Sequence, residues 1–406
     1  MGDIVADLHI HSRFSRACSN KISIETLEKY AKIKGLDLLG TGDFQHPEWF
    51  KELDQLDERD GMLYTKTGFP FVWQTEISLI YTQDGRCRKV HQLVFAPNKD
   101  VVKQITEFLL SKGRIDYDGR PIFGMTSIEF VESLKKISKD IEIIPAHIWT
   151  PWFSLFGSNS GFDSIKDCFQ DQLKHIYALE TGLSSDPEMN WRISELDNYN
   201  LVSFSDMHSL YPWRMGREAT LLDIDLNYKD LIKAIRTKKG YKGTIEVDPN
   251  YGKYHWDGHR NCNVVLSPKE TVKAKGICPV CKKPLTIGVD YRVEELADRP
   301  LGYKPKNYTP YKKLIPIAEL VSMYLQRGIA TKGVSEIFDR LIKRFGSELN
   351  IMLNVDKKDL VDEVGEKLTQ IILRNRESQI NIKPGYDGVY GVPLLEEKKQ
   401  KSLVEF

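Results

Sequence analysis

Short apolar runs alternate with longer amphipathic stretches along the first 240 residues. A run at residues 4–8 precedes a helical pattern at 23–34, and a second run at 37–40 follows. Further helices are predicted at residues 127–139 and 228–238, and further strands at 141–145, 176–181 and 219–225. Such alternation favours parallel strands with crossover helices, and therefore an α/β barrel rather than a sandwich.

One segment breaks this rhythm. Residues 77–81 and 90–95 are rich in β-branched and apolar side chains, and Asp84-Gly85 stands between them. Asp-Gly between two such runs is a strong signal for a tight turn. We therefore predict a β-hairpin at the rim of the barrel.

The chain beyond the barrel divides into smaller units. Residues 250–297 are too few to build a large core and need a stabilising cross-link. A Pro- and Tyr-rich linker (299–311) leads to a helical pattern at 312–380, and residues 392–406 read as a flexible tail. The predicted domains are a barrel at 1–245, a small zinc-binding domain at 250–297 and a helical domain at 312–380.

Charge is unevenly distributed although the 406-residue chain carries a net charge of only +1. Residues 233–313 contain 18 Lys/Arg against 8 Asp/Glu, so the rest of the chain is acidic. An acidic part suits cations, and a basic part suits an anionic polymer such as DNA. We find no membrane-span or signal-peptide pattern, so we expect a cytoplasmic protein without a membrane partner.

Potential metal ligands stand at or near the ends of the apolar runs. In the pairs His9/His11 and Asp206/His208 the side chains two residues apart share one strand face. Any single histidine is equally well explained as a core residue, and Asp7 is expected to orient His9 or His11 from behind. The candidate ligands are His9, His11, Asp43, Glu76, His91, His147, Asp206 and His208.

This pattern resembles the polymerase-and-histidinol-phosphatase (PHP) phosphoesterases. The resemblance implies a distorted seven-stranded β/α barrel that holds two or three divalent ions (Zn²⁺, Mn²⁺ or Mg²⁺), with Glu76 bridging them. Two features depart from that family: Asp43 stands where a histidine is usual, and residues 12–19 lack the usual acidic ligand. The implied catalytic residues are His9, His11, Glu76, Asp206 and His208.

Further segments narrow the resemblance to endonuclease Q. They are residues 17–27, 40–43, 145–152, 183–186, 205–209, 215–218 and 252–255. The similarity extends into the parts that follow the barrel. It implies a DNA-repair endonuclease that cuts 5′ to deaminated bases (hypoxanthine, uracil, xanthine) or abasic sites by a metal-activated hydroxide.

Two Cys/His knuckles follow the barrel. His259 and Cys262 are separated by fifteen residues from Cys278 and Cys281, which is the spacing of a four-ligand structural zinc site. Chance placement is the weaker alternative, and His255 is a competing ligand. Relatives of endonuclease Q can carry four cysteines here, and zinc tolerates the histidine.

Several other residues are candidates for binding DNA. Arg214 and Arg217 are candidates for gripping a phosphate, Lys273 and Lys275 for following the backbone, and Trp152 for stacking on an extruded base. Solvated lysines and core aromatics are the plain alternatives. Residues 345–347 and 359–365 resemble a helix-hairpin-helix element without its second glycine, for which an ordinary helical bundle is the alternative.

Residues 400–406 match the outline of a sliding-clamp peptide through Gln400, Leu403 and Phe406, a motif short enough to arise by chance. Two functional alternatives remain at this point. One is a phosphoesterase acting on small molecules, against which the basic and helical domains argue. The other is a DNA- and clamp-binding adaptor with a catalytically impaired barrel, against which the near-complete ligand set argues.

Overall fold

In a computed structural model, which describes residues 2–394, residues 2–246 form an α/β unit, called the barrel below, whose strands surround a shared inner core. Its strands are β1 (Gly2–Asp7), β2 (Leu38–Gly40), β3 (Asp57–Arg59), β4 (Met62–Tyr64), β5 (Pro70–Val72), β6 (Gln74–Gln83), β7 (Arg86–Phe95), β8 (Ile122–Phe123), β9 (Glu142–Pro145), β10 (Ala178–Glu180), β11 (Asn200–Val202), β12 (Ala219–Ile224) and β13 (Tyr241–Glu246). Its helices are α1 (Ile24–Lys34), α2 (Pro47–Leu53), α3 (Lys99–Lys112), α4 (Ser127–Ile137), α5 (Ile165–Phe169), α6 (Pro187–Asn190) and α7 (Tyr228–Thr237), with 3₁₀ turns at Gln170–His175 and Ser194–Asn198.

The helix boundaries follow from local capping. The Ser23 side chain accepts a hydrogen bond from the Thr26 backbone at the start of α1, and Gly35 ends that helix at a φ of 94°. Thr126 caps α4 in the same way by accepting from the Glu129 backbone. The predicted helices at 23–34, 127–139 and 228–238 are therefore confirmed to within about two residues at each end.

Two hydrophobic cores lie on opposite faces of the strands. Along β1 and just beyond it, Ile4, Ala6 and Leu8 point into the inner core of the barrel. In β2 the consecutive residues Leu38 and Leu39 divide between the inner core and the core beneath the helices. This period-two division explains why the strands read as continuous apolar runs, since both faces are buried.

The strand directions are mixed. β1, β2 and β5 pair in parallel, and so do β10 and β11, as the alternating pattern predicted. The hairpin β6–β7 is confirmed with its turn at residues 84–85, but β9 also pairs antiparallel to β7. Parallel pairing is therefore less general than the alternation predicted, because β12 also runs antiparallel to both β1 and β13. A bridge between Ile10 and Met207 joins the segments beyond β1 and β11, and the count of seven barrel strands stays a prediction.

The Cys/His segment packs beside the barrel as a small module. Its elements are the 3₁₀ turns Pro249–Tyr251 and Arg260–Cys262, the hairpin β14 (Asp257–His259) and β15 (Val264–Leu266), and the helices α8 (Pro268–Lys273) and α9 (Val289–Leu296). The predicted linker ends in β16 (Tyr311–Lys313), which pairs in parallel with β13 and so extends the barrel sheet.

Four helices follow. They are α10 (Ile317–Leu325), α11 (Lys332–Phe345), α12 (Glu348–Leu353) and α13 (Lys357–Arg376). Gly365 interrupts α13 with a φ of 77°, and the helix-hairpin-helix assignment stays a prediction. The bundle is joined to the barrel by a fully buried ion pair in which Lys34 Nζ lies 3.1 Å from Glu348 Oε1.

The chain then returns to the Cys/His module. β17 (Asn381–Lys383) and β18 (Val392–Leu394) form a hairpin, and the segment between them crosses the module. Asp387 accepts hydrogen bonds from the Arg260 backbone and the Thr286 hydroxyl, each at 2.7 Å. The module therefore extends beyond residues 250–297 to include 385–391.

The predicted tail at 392–406 falls mostly beyond what the structure describes. Residues 392–394 form β18, so the flexible tail does not begin at 392 as expected. The clamp-motif residues Gln400, Leu403 and Phe406 lie outside the described residues. Within residues 2–394 no helix is both long and apolar enough to cross a bilayer, and the cytoplasmic location stays a prediction.

Candidate metal centre and cleft

The strand ends turn sharply to present polar side chains at one mouth of the barrel. Asp43, His147 and Asp206 all adopt left-handed backbone conformations, with φ of 39°, 29° and 45°. Such conformations cost about 1–3 kcal/mol each and persist where the surrounding structure fixes them. Gly182 packs so closely that a Cβ there would lie 2.5 Å from the Cβ of His147. Close packing thus holds these strand ends in their left-handed conformations.

A first group of potential metal ligands lies on the floor of this mouth. One ligand atom from each of His9, His11, Glu76 and Asp206 falls within 4.8 Å of the others. Three buried atoms there have no hydrogen-bond partner of good geometry: Nε2 of His9, Nε2 of His11 and Oδ1 of Asp206, although His11 Nε2 and Asp206 Oδ1 lie 3.1 Å apart. Buried polar atoms without partners are costly, and a divalent cation would satisfy all three. These residues therefore fit a metal ion.

A second group shares one member with the first. Glu76 Oε1 lies 2.7 Å from His91 Nδ1 and 3.0 Å from His147 Nε2, while Oε2 lies 3.2 Å from His11 Nε2. Each oxygen of Glu76 thus faces a different group, the arrangement of a bridging carboxylate. Glu76 and His91 are diagonal neighbours across the hairpin, since Ser78 is paired with His91.

Two carboxylates hold the histidines of the first group from behind. His9 Nδ1 donates to Glu180 Oε1 at 2.9 Å, and His11 Nδ1 donates to Asp43 Oδ1 at 3.0 Å. With the proton held on Nδ1, the Nε2 lone pair of each ring is directed to the centre of the site. Carboxylates commonly orient metal-bound histidines in this way.

Asp43 lies behind His11 rather than among the ligand atoms, and a direct ligand role for it stays a prediction. Its second oxygen accepts from Ser12 N at 2.7 Å, and from the hydroxyls of Ser12 and Ser15. A Cβ on Gly119 would collide with the same carboxylate. Because both oxygens are occupied, Asp43 belongs to neither group of ligands.

Two further candidate residues, Asp7 and His208, also lie outside the two ligand groups. The hydrogen bonds of Asp7 go elsewhere than to His9 or His11: its oxygens accept from Ser205 N and Gly216 N, both at 2.9 Å, and tie β1 to the segments around Asp206. His208 lies at the open edge of the first group, its ring 4.7 Å from that of His11 and its Nδ1 3.0 Å from the Asp206 carbonyl oxygen. A ligand role for His208 stays a prediction.

The charges around Glu76 are strongly coupled. Burial alone would raise the pKa of Glu76, but the adjacent His91 and Arg120 hold it well below its usual value. Arg120 Nη1 lies 3.1 Å from Glu76 Oε2. Burial lowers the pKa of His91 to about 4, so this imidazole is neutral near pH 7 with a lone pair available. The second group thus combines an ionised Glu76 with a neutral His91. Burial alone would lower the pKa of His9, His11 and His147, but neighbouring carboxylates raise it, so metal binding at these rings would release protons.

Above the two groups opens a cleft of about 590 Å³ between the barrel, the Cys/His module and the returning segment 385–391. Trp152 stands at its rim, 41 % exposed, edge-on to Tyr254 at 5.2 Å. Trp149 and Phe156, by contrast, are buried in the core. The positive side chains of the cleft are Arg120, Arg214, Arg217 and Lys253.

The predicted DNA-handling residues divide between two places. Arg214 and Arg217 line the cleft, but Arg217 donates Nε and Nη2 to the Ser205 carbonyl oxygen at 3.3 and 3.2 Å. Arg217 therefore braces the segment that carries Asp206, and Arg214 is the freer of the two. Lys273 and Lys275 are exposed on the Cys/His module outside the cleft lining.

The second candidate centre is the Cys/His cluster. Ligand atoms of His259, Cys262, Cys278 and Cys281 all lie within 4.8 Å of one another, and His255 is not in the cluster. Burial would raise the pKa of the Cys278 thiol, but the backbone N–H groups of Cys281 and Val280 lower it to about 6. A thiolate at this position favours zinc.

Sequence reasoning missed Glu180 and Arg120. Glu180 ends the short apolar strand β10, so the rule that selected the other strand-end residues would have found it. Arg120 lies in an irregular loop whose sequence has no periodic signal. Only the folded chain brings its guanidinium to Glu76.

Replacing Glu180 by glutamine is expected to weaken divalent-metal binding at the barrel about 10–100-fold, because a neutral amide holds the His9 ring less firmly. Competition dialysis against Mn²⁺ measures the affinity. Glu132→Gln, on the exposed face of α4, is the matched control and should bind metal like the parent chain. Equal affinity in all three proteins would show that Glu180 does not orient the ligand.

The helical bundle matches a known family model, the MJ0043 C-terminal domain, over residues 316–379. The chain is 36 % identical over 249 residues to the uncharacterised protein MJ0043 of Methanocaldococcus jannaschii, covering 60 % of this chain but only 31 % of that protein. It is 28 % identical over 415 residues to the uncharacterised protein YqxK of Bacillus subtilis, covering 96 % and 99 % of the two chains.

Two solved structures resemble the whole chain. One is the lesion-specific endonuclease PfuEndoQ of Pyrococcus furiosus, with a TM-score of 0.87 and 32 % identity over 100 % of this chain and 98 % of that one. The other is endonuclease Q bound to a 27-mer duplex with an abasic lesion at the active site, with the same TM-score and identity over 100 % and 99 %. The likeness thus spans the barrel, the Cys/His module and the helical bundle together.

Proposed function

This chain belongs to the endonuclease Q family, and on that premise we propose that it is a metal-dependent DNA-repair endonuclease that hydrolyses the phosphodiester on the 5′ side of a damaged nucleotide. The carrying observation is the shared carboxylate of Glu76 between two ligand groups on the floor of a positively lined cleft. The proposed lesions are hypoxanthine, uracil, xanthine and abasic sites. A cleft with this floor suits a phosphodiester, whose charge the arginines would hold.

The position of each residue in the cleft suggests whether it would bind metal or phosphate. His9, His11, Asp206 and Glu76 would hold one divalent ion, and Glu76, His91 and His147 a second. When bound, such ions supply Lewis-acid activation of water and of the phosphoryl oxygens. Arg120 stands beside Glu76 at the cleft floor, where its guanidinium would bind a non-bridging phosphate oxygen.

The number of metal ions follows from the same geometry. Within residues 2–394 the barrel presents two ligand groups, and Asp43 is already saturated by hydrogen bonds. We therefore favour two divalent ions in the barrel over three, plus one structural zinc at His259, Cys262, Cys278 and Cys281. Zinc is the ion that a closed Cys₃His set prefers.

The upper cleft suits an extruded nucleotide. Trp152, Tyr254 and Tyr390 surround it with aromatic surface next to Lys253 and Arg214. Flipping a residue out of a duplex costs a few kcal/mol, and the cost is smallest for a mismatched or missing base. A deaminated base or an abasic site would therefore enter the cleft more readily than a normal nucleotide.

Both alternative functions account for the structure less well. A small-molecule phosphoesterase needs neither the Cys/His module nor the helical bundle, and both pack around the cleft or against the barrel here. A non-catalytic adaptor does not need two groups of ligands that share one carboxylate. Sliding-clamp binding through Gln400, Leu403 and Phe406 stays a prediction.

The test is a nicking assay on matched duplexes that contain deoxyinosine, deoxyuridine, deoxyxanthosine or an abasic site, with Mn²⁺ or Mg²⁺ added. We expect at least one damaged duplex to be nicked and the undamaged duplex to stay intact. A chelator should stop the reaction and added metal should restore it. Purified protein that leaves every damaged duplex intact would contradict the proposal.

A further inference from the structure

A pair of stacked aromatic rings lies outside the cleft lining, three residues beyond His208. The rings of Tyr211 and Trp213 are parallel within 5°, with centroids 4.5 Å apart. Trp213 is half-buried against the core, whereas the Tyr211 side chain is 54 % exposed. The inner ring is thus anchored in the protein and the outer ring is presented to solvent.

The backbone beneath the pair is held firmly. Lys34 Nζ donates to the Pro212 carbonyl oxygen at 2.9 Å, and the same Lys34 is fixed by its buried ion pair with Glu348. The Tyr211 carbonyl oxygen accepts from Arg214 N at 2.7 Å. Because these contacts order the loop in the free protein, a ligand that stacks there does not have to order it.

The surroundings indicate which ligand suits the pair. His208, Ser209 and Arg214, on either side of Tyr211 in the chain, line the cleft, while Tyr211 and Trp213 do not. The outer ring therefore faces solvent outside the cleft. Arg214, three residues further along, carries its guanidinium into the cleft, 5.9 Å from the centre of the Tyr390 ring, where it suits a phosphate. An exposed aromatic face on a loop that also carries a phosphate-binding side chain is a combination used by proteins that bind single-stranded nucleic acid.

We propose that Tyr211, supported by Trp213, is a stacking platform for a nucleobase that loses its stacking neighbour when the damaged residue enters the cleft. The inference rests on the proposed function, since it presupposes a duplex with one residue extruded. The platform replaces part of the stacking that the duplex loses, and so favours the extruded state over the intact one. The nucleobase that stacks on Tyr211 is either the one opposite the lesion or the one next to the lesion in the damaged strand.

The experiment uses 2-aminopurine, whose fluorescence is quenched by stacking, in duplexes with an abasic site and a hydrolysis-resistant methylene phosphonate 5′ to it. One duplex carries the probe opposite the lesion and the other carries it next to the lesion. The full-length protein is compared with Tyr211→Ala, Tyr211→Phe and the remote control Tyr308→Ala, whose ring is 42 % exposed.

The parent chain, Tyr211→Phe and Tyr308→Ala should quench one of the two probes. Tyr211→Ala should lose that quenching and bind about tenfold more weakly, as expected for loss of one base–aromatic stack. Which duplex responds identifies the base. Normal quenching and affinity in Tyr211→Ala would overturn the platform, as would equal losses in Tyr211→Phe. Both results leave nicking of natural lesions intact, whereas absence of nicking by the parent chain contradicts the proposed function itself.

Discussion

Replacing Glu76 by glutamine is expected to reduce nicking by a factor on the order of 10³ or more. The amide loses the negative charge that now faces both ligand groups, and it offers one neutral oxygen where the carboxylate offers two. Metal ions contribute several kcal/mol of charge stabilisation in such reactions, and each 1.36 kcal/mol corresponds to a factor of ten. Single-turnover nicking of an abasic duplex measures the loss.

Metal content separates this explanation from misfolding. The Glu76→Gln protein should retain its structural zinc and lose most of the divalent metal bound by the barrel, as measured by mass spectrometry of the purified protein. Glu107→Gln, on the exposed face of α3, should change neither quantity. Full metal occupancy with full activity in Glu76→Gln would show that Glu76 does not bridge the two groups.

Replacing Cys281 by serine is expected to remove about one zinc ion per chain and to loosen the Cys/His module. Structural zinc contributes about 10–16 kcal/mol in isolated zinc-finger peptides, so loss of one of four ligands is a large perturbation. The β14–β15 hairpin and the Asp387 contacts also support the module, and Arg292 of α9 ties it to the barrel through the carbonyl oxygens of Phe156 and Phe162. Limited proteolysis should therefore cut within residues 257–287 in the variant.

Loosening the module should also impair DNA binding, because the segment between β13 and β14 supplies Lys253 and Tyr254 to the cleft. Binding of damaged duplex should weaken while the barrel keeps its metal. Cys87→Ser, an exposed cysteine outside the cluster, should behave like the parent chain. Unchanged zinc content in Cys281→Ser would show that Cys281 is not a ligand.

The sequence predicted most of the metal centre because strand ends carry a regular signal. The apolar runs alone predict that His9, Glu76 and Asp206 lie at the mouth, since the carboxyl ends of barrel strands meet at one face. The hairpin was equally clear from Asp84-Gly85 between two alternating runs. Those features depend on neighbours in the chain, which a single sequence displays.

The roles within the centre were harder to predict. A carboxylate that binds metal and one that orients a histidine look alike in sequence, so Asp43 was expected to be a ligand. The hydrogen bonds from His11 and Ser12 favour an orienting role, and they depend on tertiary geometry. Arg120 had no periodic signal at all, because it lies in an irregular loop.

Contacts between segments that are far apart in the sequence were also not predictable from it. Residues 385–391 complete the Cys/His module and bring Tyr390 to the cleft, more than a hundred residues after the cysteines. No local pattern links Asp387 to Thr286, since their hydrogen bond depends on the path of the intervening helices. The same holds for Lys34 and Glu348, whose buried pair joins the bundle to the barrel.

The position of the cut tests the central claim most directly. A duplex with a single deoxyinosine or abasic site, labelled at both ends of the damaged strand, should yield a nick at the phosphodiester 5′ to the lesion. The damaged residue should remain at the 5′ end of the downstream fragment, and Glu76→Gln should yield no product. A cut on the 3′ side, or cutting of the undamaged duplex at the same rate, would contradict the account.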